Sequence, residues 1–174
     1  GGYKRRRHGL VAGHGMSKAP KQPVSVLVVI HTSNLDFLVM ERAGGGGLWQ
    51  SVTGSREGDE APAATALREV AEETGLAAPP SSLVDWQLTH RFPILPRWRA
   101  RYAPGVTHNT EHVLSLCVPA IFSPSLAPDE HTSACWLPWQ EAAARVFSWT
   151  NRDTIGLIAR RFGAVLQARP QSLP

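Results

Sequence analysis

Three glutamates lie close together at positions 69, 72 and 73, in the segment GSREGDEAPAATALREVAEETGL, residues 54–76. On a helix, Glu69 and Glu73 would point in directions about 40° apart, with Glu72 beside them. Like charges four residues apart destabilise a helix by roughly 0.2–0.5 kcal/mol per pair. A divalent cation reverses that repulsion, and hard carboxylate oxygens suit Mg²⁺ or Mn²⁺. The three side chains therefore predict a metal site of the kind that also binds substrate phosphates.

The helix that carries these glutamates is bounded by Pro62, which suits a first turn, and Gly75, which suits a left-handed stop. We expect the glutamates to lie on a face away from the core, although a solvated acidic surface is the ordinary alternative. Arg68 could orient either Glu60 or Glu72, or be a simple surface arginine. The predicted packed face is Ala63, Leu67, Val70 and Thr74.

This spacing resembles the Nudix box, whose defining positions are all filled. They are Gly54, Glu60, Arg68, Glu69, Val70, Glu72, Glu73, Gly75 and Leu76. One departure is that Gly58 precedes Asp59, where the family has a free position and then Gly. Asp tolerates left-handed geometry, so we expect the loop to survive with a shifted turn. The resemblance implies the α/β Nudix fold, an α/β/α sandwich with a mixed β-sheet.

Apolar, β-branched runs predict the strands that position this helix, at residues 24–30, 37–40, 48–52, 83–89, 113–118 and 134–137. A loop is expected over residues 91–101, and Pro104-Gly105 fits the centre of a type II turn. Two helices close the chain, at residues 139–147 and 151–166, the second capped by Thr150. The apolar stripe of that second helix is Ile155, Ile158, Phe162 and Val165. This order of elements predicts a mixed sheet between helices.

The composition of the 174 residues, 43% hydrophobic and 18% charged, fits one globular domain. The net charge of +4 equals the four basic residues within residues 1–15, a stretch without acids. Because Met16 follows, we expect a flexible leader or expression remnant at residues 1–15 and a single domain at residues 16–174. The domain itself then has no polyanion-binding field, so no nucleic-acid partner is expected.

Cys117 and Cys135 lie in apolar, strand-like stretches. We expect buried free thiols in a reducing compartment, with a single disulfide as the alternative. No apolar run approaches the roughly 20 residues of a membrane span, and the basic leader lacks the apolar core of a signal peptide. These features predict a cytoplasmic protein, with no membrane contact and no evident protein partner.

The Nudix resemblance also implies residue roles, since in that family the helix holds Mg²⁺ against a diphosphate linkage that water attacks. Glu69 and Glu73 would be metal ligands, with Mg²⁺ or Mn²⁺ as the ion. Glu130, in DEHTSACWLP, matches the family's Glu-His segment six residues before a Trp. It would be a further ligand or the base, so that Glu72 and Glu130 are the expected catalytic residues. The alternatives are Asp129, Glu111 and an ordinary loop role for Glu130.

Four stretches outside the box resemble one subgroup, the bacterial dihydroneopterin triphosphate diphosphatases: KQPVSVLVVI, LWQSVTGS, RYAPGVTHNTE and SWTNR. RYAPGVTHNTE is the specific element, because general Nudix catalysis does not require it. The resemblance implies a small-molecule triphosphate substrate, 7,8-dihydroneopterin triphosphate, cut to the monophosphate and pyrophosphate in folate biosynthesis. A nucleoside triphosphate such as dATP is the alternative substrate. A non-catalytic nucleotide sensor is a further alternative, although it would not need the three glutamates.

The same resemblance implies the substrate contacts. Lys21 and Arg42 would contact the phosphates or the pterin, Thr53 would line the pocket, and Ser148 would contribute from the final loop. A wall against the ring would be formed by Phe92, Pro93, Ile94 and Leu95. Three tryptophans could stack on a flat heterocycle, although core packing is the commoner use of each. They are Trp49, Trp98 and Trp149.

Overall fold

The computed structural model of the protein describes residues 19–44 and 46–167, which contain seven strands and three α-helices. The strands are β1 (Val24–Thr32), β2 (Asp36–Arg42), β3 (Trp49–Gln50), β4 (Val52–Ser55), β5 (Leu83–Pro93), β6 (His108–Val118) and β7 (His131–Pro138). The helices are α1 (Pro62–Thr74), α2 (Trp139–Arg145) and α3 (Trp149–Gln167). The predicted leader at residues 1–15 lies outside the described residues.

All seven strands form one mixed sheet in the order β3-β2-β1-β6-β5, with β4 paired to β1 and β7 paired to β2. The pair β1–β6 is parallel and the other pairs are antiparallel. Helix α1 packs on one face of the sheet, and α2 and α3 pack on the other. The predicted sandwich of a mixed sheet between helices is confirmed.

Strand β1 is buried on both faces, as its continuous β-branched sequence requires. Val26 and Val28 face α1, where they meet Val70, whereas Leu27 faces the opposite core with Ile155. Because successive strand side chains point to opposite faces, this single strand joins both cores. It therefore fixes the position of α1 relative to α3.

Strands β5 and β6 extend further than their apolar runs predict. Phe92 pairs with Asn109 and Pro93 with His108, so the first three residues of the expected loop, 91–93, belong to β5. These ends are polar and lack apolar alternation, which is why sequence patterns miss them. The chain between them turns at Gly105, whose φ is +86°, and Val106 N donates to the Ala103 carbonyl at 3.2 Å. The expected turn at 104–105 is confirmed.

The buried face of α1 differs from the prediction. Ala63 is exposed, whereas Glu69 and Glu73 are only 8% and 3% exposed. The apolar residues Ala66 and Val70 anchor the helix, which rotates both glutamates toward β4 rather than away from the protein. The expectation that these carboxylates lie on a face away from the core is wrong.

The cap of α3 is Ser148 rather than Thr150. Asn151 N donates to Ser148 Oγ at 3.1 Å, and Arg152 N donates to the Ser148 carbonyl at 3.1 Å. Thr150 is therefore already inside the first turn, and it is 2% exposed. Both cysteines are free, as expected, but they are half-buried rather than buried. None of the helices in the described part of the chain is long and apolar enough to cross a membrane.

Candidate active site

Arg68 joins the carboxylates at the start of α1 into one network. Its Nε and Nη2 donate to the two oxygens of Glu60, each at 2.9 Å, and its Nη1 donates to Glu69 Oε1 at 2.8 Å. A longer bond of 3.3 Å reaches Glu72, and the Ser55 carbonyl accepts from Nη2 at 3.0 Å. The bidentate bond makes Glu60 the main partner of Arg68. Of the two carboxylates considered from the sequence, Glu60 is therefore held more tightly than Glu72.

Glu60 in turn closes the loop before α1. Its Oε1 accepts from Glu57 N at 2.9 Å, and its own N–H donates to the Glu57 carbonyl at 3.2 Å. The hydrogen bonds from Arg68 hold the pKa of Glu60 down at about 2. In this turn Gly58 carries the positive φ, +56°, and Asp59 does not. The unusual Gly-Asp order thus moves the left-handed residue one position earlier without opening the loop.

Gly54 lets the metal-ligand candidates approach the sheet. A Cβ at this position would overlap the Glu69 carboxylate, so no larger residue fits while Glu69 stays in place. Burial raises the pKa of Glu69 to about 7, partly offset by Arg68. Burial, followed by the charges of Glu69 and Glu130, raises the pKa of Glu73 well above its usual value. A cation bound beside these carboxylates would reverse both shifts.

Glu130 and His131 reach Glu73 from the start of β7, and one ligand atom from each of the three lies within 4.8 Å of the others. Ala43 N donates to the Glu130 carbonyl at 2.8 Å, which ties this segment to the end of β2. Glu73 Oε2 is buried without a hydrogen-bond partner. The unsatisfied Glu73 oxygen beside Glu130 fits a divalent cation with oxygen ligands, and the charge of Glu69 also acts on Glu73.

His131 is a site residue that the sequence analysis quoted but did not assign. Arg42 donates to Gln50 Oε1 at 3.2 Å, which leaves Gln50 Nε2 to donate to His131 Nε2 at 3.3 Å. This arrangement places the imidazole proton on Nδ1. Burial, and then the Arg42 charge, lower the pKa of His131 to about 4. His131 is therefore neutral, its Nδ1 is buried without a hydrogen-bond partner, and the oxygen ligands remain the carboxylates.

A cleft of about 980 Å³ opens over these groups. Seven of the residues predicted for the site line it, namely Lys21, Arg42, Thr53, Glu69, Glu72, Glu73 and Glu130. Acidic residues of α1 form one wall and basic residues form the other. Such a cleft can bind a phosphate chain between a metal and cations. Of the two alternatives to Glu130, Asp129 lines the cleft and Glu111 does not.

Arg101 and Tyr102 complete the wall that carries the basic residues, although neither was predicted as a site residue. Lys21 N donates to the Arg101 carbonyl at 2.9 Å, and Lys21 pairs with Tyr102 in an isolated parallel β-bridge. Burial and then the Arg101 charge lower the pKa of Lys21. These two residues begin the segment RYAPGVTHNTE. The resemblance of that segment to the subgroup was the signal that could have identified them as site residues. The segment therefore positions Lys21 at the cleft.

The remaining predicted contacts do not line the cleft. Ile94 is 4% exposed, Leu95 is exposed, and Phe92 and Pro93 lie at the end of β5. Ser148 caps α3. Their contact with a substrate stays a prediction.

Comparison with known proteins gives consistent relatives. The NUDIX domain model matches residues 21–157. The dihydroneopterin triphosphate diphosphatase of Escherichia coli K12 is 43% identical over 142 residues, 79% of this chain and 93% of that enzyme. The Haemophilus influenzae enzyme of the same name is 38% identical over 138 residues, 78% of this chain and 86% of that enzyme. The solved structure of the E. coli dihydroneopterin triphosphate pyrophosphohydrolase has a TM-score of 0.77 at 39% identity, covering 83% of this chain and 99% of that one.

Proposed function

The chain belongs to the Nudix family, and on that premise we propose that it hydrolyses 7,8-dihydroneopterin triphosphate to dihydroneopterin monophosphate and pyrophosphate. The observation that carries the proposal is the 43% identity to the E. coli diphosphatase across 93% of that enzyme's length. Similarity limited to α1 would support the hydrolytic chemistry alone, because α1 holds the metal-site glutamates and not the substrate-specific segments. The likeness instead includes both walls of the cleft.

Glu69, Glu73 and Glu130 would hold the divalent cation, which we propose to be Mg²⁺, with Mn²⁺ as a substitute. When bound, the ion neutralises phosphate charge and lowers the pKa of an attacking water. Arg68 keeps Glu69 in place through the 2.8 Å hydrogen bond, so the ligand geometry is set before substrate arrives. Glu72 is exposed beside the ligands. From there it can act with Glu130 to orient the attacking water and accept its proton.

On the opposite wall, Lys21 and Arg42 would bind the phosphate oxygens, with Arg101 beside them. Thr53 lies at the base of the cleft and is linked to Arg42 through Gln50. These cations stabilise the leaving pyrophosphate, which carries more charge as the bond breaks. We also propose a cytoplasmic location, with which the two free thiols agree.

The test is a substrate panel with Mg²⁺ in which pyrophosphate and orthophosphate are detected separately. We expect kcat/KM for dihydroneopterin triphosphate to exceed that for each nucleoside triphosphate, pyrophosphate to be the inorganic product, and chelation to stop turnover. Faster hydrolysis of dATP would reject the pterin substrate while keeping the hydrolase. No turnover with Mg²⁺ or Mn²⁺ would instead favour a nucleotide sensor.

A further inference from the structure

A row of polar side chains begins at the cleft and runs across the sheet, leading away from the cleft. Strand register places Ser55 of β4 beside Ser25 of β1, Ser25 beside Glu111 of β6, and Glu111 beside His90 of β5. Paired residues on neighbouring strands project on the same face, here the face covered by α3. We call these four residues the polar row. Its first member, Ser55, lines the cleft, so the row leads from the phosphate region toward the N-terminus of α3.

Glu111 is the unexplained member of the polar row. It is 5% exposed, and its Oε1 is buried without a hydrogen-bond partner. His90 Nδ1 lies 3.5 Å from that oxygen in a geometry that makes no hydrogen bond, and it also lacks a partner. Within residues 19–44 and 46–167, no lysine or arginine forms an ion pair with Glu111. The Thr150 hydroxyl contacts this carboxylate, but the unpartnered Oε1 costs stability unless a ligand supplies a donor.

Asn109, two residues earlier on the same strand face, adds a second open acceptor. Its Nδ2 donates to Ser25 Oγ at 2.7 Å, while its Oδ1 is buried and unpartnered. Two buried oxygen acceptors therefore lie on the same face of β6, and neither has a hydrogen-bond partner among the described residues. They suit a neutral ligand that presents N–H groups, and they do not suit a phosphate.

Two aromatic side chains lie near the His90 end of the polar row. Trp149 packs edge-on against the His90 ring at a centroid distance of 5.3 Å and is 49% exposed. Phe92 pairs with Asn109, so it projects on the same face as Glu111. Such side chains can stack on a flat heterocycle. Two of the five predicted contacts that miss the cleft, Phe92 and Ser148, are neighbours of this region, because Phe92 pairs with Asn109 and Ser148 caps the helix whose Thr150 lies against Glu111.

We propose that Glu111 selects the pterin ring by accepting hydrogen bonds from its ring amide N–H and its adjacent exocyclic amino group. This inference rests on the proposed function and adds the residue that determines its specificity. Neighbouring strands are about 4.8 Å apart, so Glu111 lies roughly 10 Å from Ser55. That distance suits a bicyclic ring joined by three carbons to a triphosphate in the cleft. Guanine carries the same pair of donors, whereas adenine presents an acceptor beside its amino group.

The experiment compares the parent with Glu111→Gln, Glu111→Asp and the control Glu141→Gln, which removes an exposed charge on α2. With Mg²⁺, Glu111→Gln should lower kcat/KM for dihydroneopterin triphosphate and dGTP about 10- to 100-fold, because one acceptor becomes a donor. Hydrolysis of dATP should stay within about threefold of the parent, since adenine does not use the carboxylate. Glu141→Gln should match the parent on all three substrates.

A second measurement separates ring recognition from the phosphate site. Binding of 7,8-dihydroneopterin, which has no phosphate, is followed by calorimetry in EDTA, and Glu111→Gln should abolish it. If Glu111→Gln melts below the assay temperature, Glu111→Asp decides, and it should lower kcat/KM for dihydroneopterin triphosphate and dGTP while leaving that for dATP within about threefold of the parent. A variant that keeps the parent's substrate ratios, or its affinity for dihydroneopterin, overturns the inference while the proposed function stands. A parent that prefers dATP rejects both.

Discussion

Two regions of this protein stabilise their carboxylates in different ways. At α1, Arg68 binds Glu60, Glu69 and Glu72, and the surplus negative charge faces an open cleft. In the polar row, no lysine or arginine of the described residues pairs with Glu111, and His90, whose pKa burial lowers, lies 3.5 Å from its carboxylate. The first group keeps its charge in place with an arginine. The second gives a single carboxylate a hydroxyl contact from Thr150 but no compensating charge from the described residues.

The difference indicates what each group binds. A charged network beside a cleft suits a divalent cation and phosphates, since added positive charge relieves its repulsion. An isolated buried acceptor suits neutral N–H donors, which satisfy it without introducing another charge. The proposed substrate has both parts, a charged triphosphate and a neutral ring. The two regions therefore divide recognition of one molecule between electrostatics and hydrogen bonding.

The largest expected effect is on turnover at the charged network. Glu73→Gln keeps the shape of a side chain that is 3% exposed but removes one ligand charge. We expect kcat to fall at least about 100-fold, because metal stabilisation of phosphoryl transfer is worth several kcal/mol. The fold should persist, since neutralising a carboxylate whose pKa is raised by burial removes a desolvation cost. Pyrophosphate release and circular dichroism are measured together, with Glu141→Gln as control. Turnover within a few-fold of the parent would contradict the metal site.

The charged network could be predicted from the sequence because its residues are neighbours in the chain. Helical spacing alone places Glu69 beside Glu73. The prediction was mistaken about which side of α1 is buried, since Ala63 is exposed whereas both glutamates are buried. The polar row could not be predicted in this way. It depends on the register of four strands that bring together Ser55, Ser25, Glu111 and His90. No local pattern in the sequence encodes that register.

The ends of β5 and β6 illustrate the same limit. Phe92 and Asn109 are paired, yet the residues around each do not alternate between apolar and polar. Neither stretch therefore gives a strand signal. The cap at Ser148 was missed because both Ser148 and Thr150 carry a suitable hydroxyl and the sequence does not distinguish them. In contrast, the Pro-Gly turn at 104–105 was correct, since left-handed geometry at Gly105 is a local requirement.

A smaller loss of activity is expected for Arg68→Lys. Lysine keeps the charge but cannot donate the paired hydrogen bonds to both oxygens of Glu60. Ligand orientation should loosen, and kcat should fall about 10- to 100-fold, the usual cost of losing a residue that positions metal ligands. KM for dihydroneopterin triphosphate should change little, because Arg68 does not line the cleft. A matched variant, Arg152→Lys, replaces an exposed arginine on α3 and should leave kcat unchanged. A large rise in KM without a fall in kcat would assign Arg68 to substrate binding instead.

The smallest effect is on stability, and it tests the uncompensated state of Glu111. Burial raises the pKa of Glu111 to about 7 from its usual 4.5, with a hydroxyl contact from Thr150 opposing part of the shift. The folded protein then binds more protons than the unfolded chain between about pH 4.5 and 7, so the parent loses stability as pH rises through that window. Glu111→Gln lacks this loss. The stability gained by Glu111→Gln over the parent should be larger at pH 8 than at pH 5, by an unfolding free energy on the order of 2–3 kcal/mol. The measurement is the difference between the two melting temperatures, which should be larger at pH 8.

The other titratable groups near Glu111 do not remove this difference. His90 faces it from β5, and Asp153 of α3 acts on His90. Burial lowers the pKa of His90, so its contribution to stability rises with pH, opposite in sign to that of Glu111. Because His90 and Asp153 are present in both proteins, comparing the two pH profiles largely cancels their contribution. Parallel melting profiles for the parent and Glu111→Gln from pH 5 to pH 8 would mean that Glu111 is compensated, and the contrast between the two carboxylate groups would then be lost.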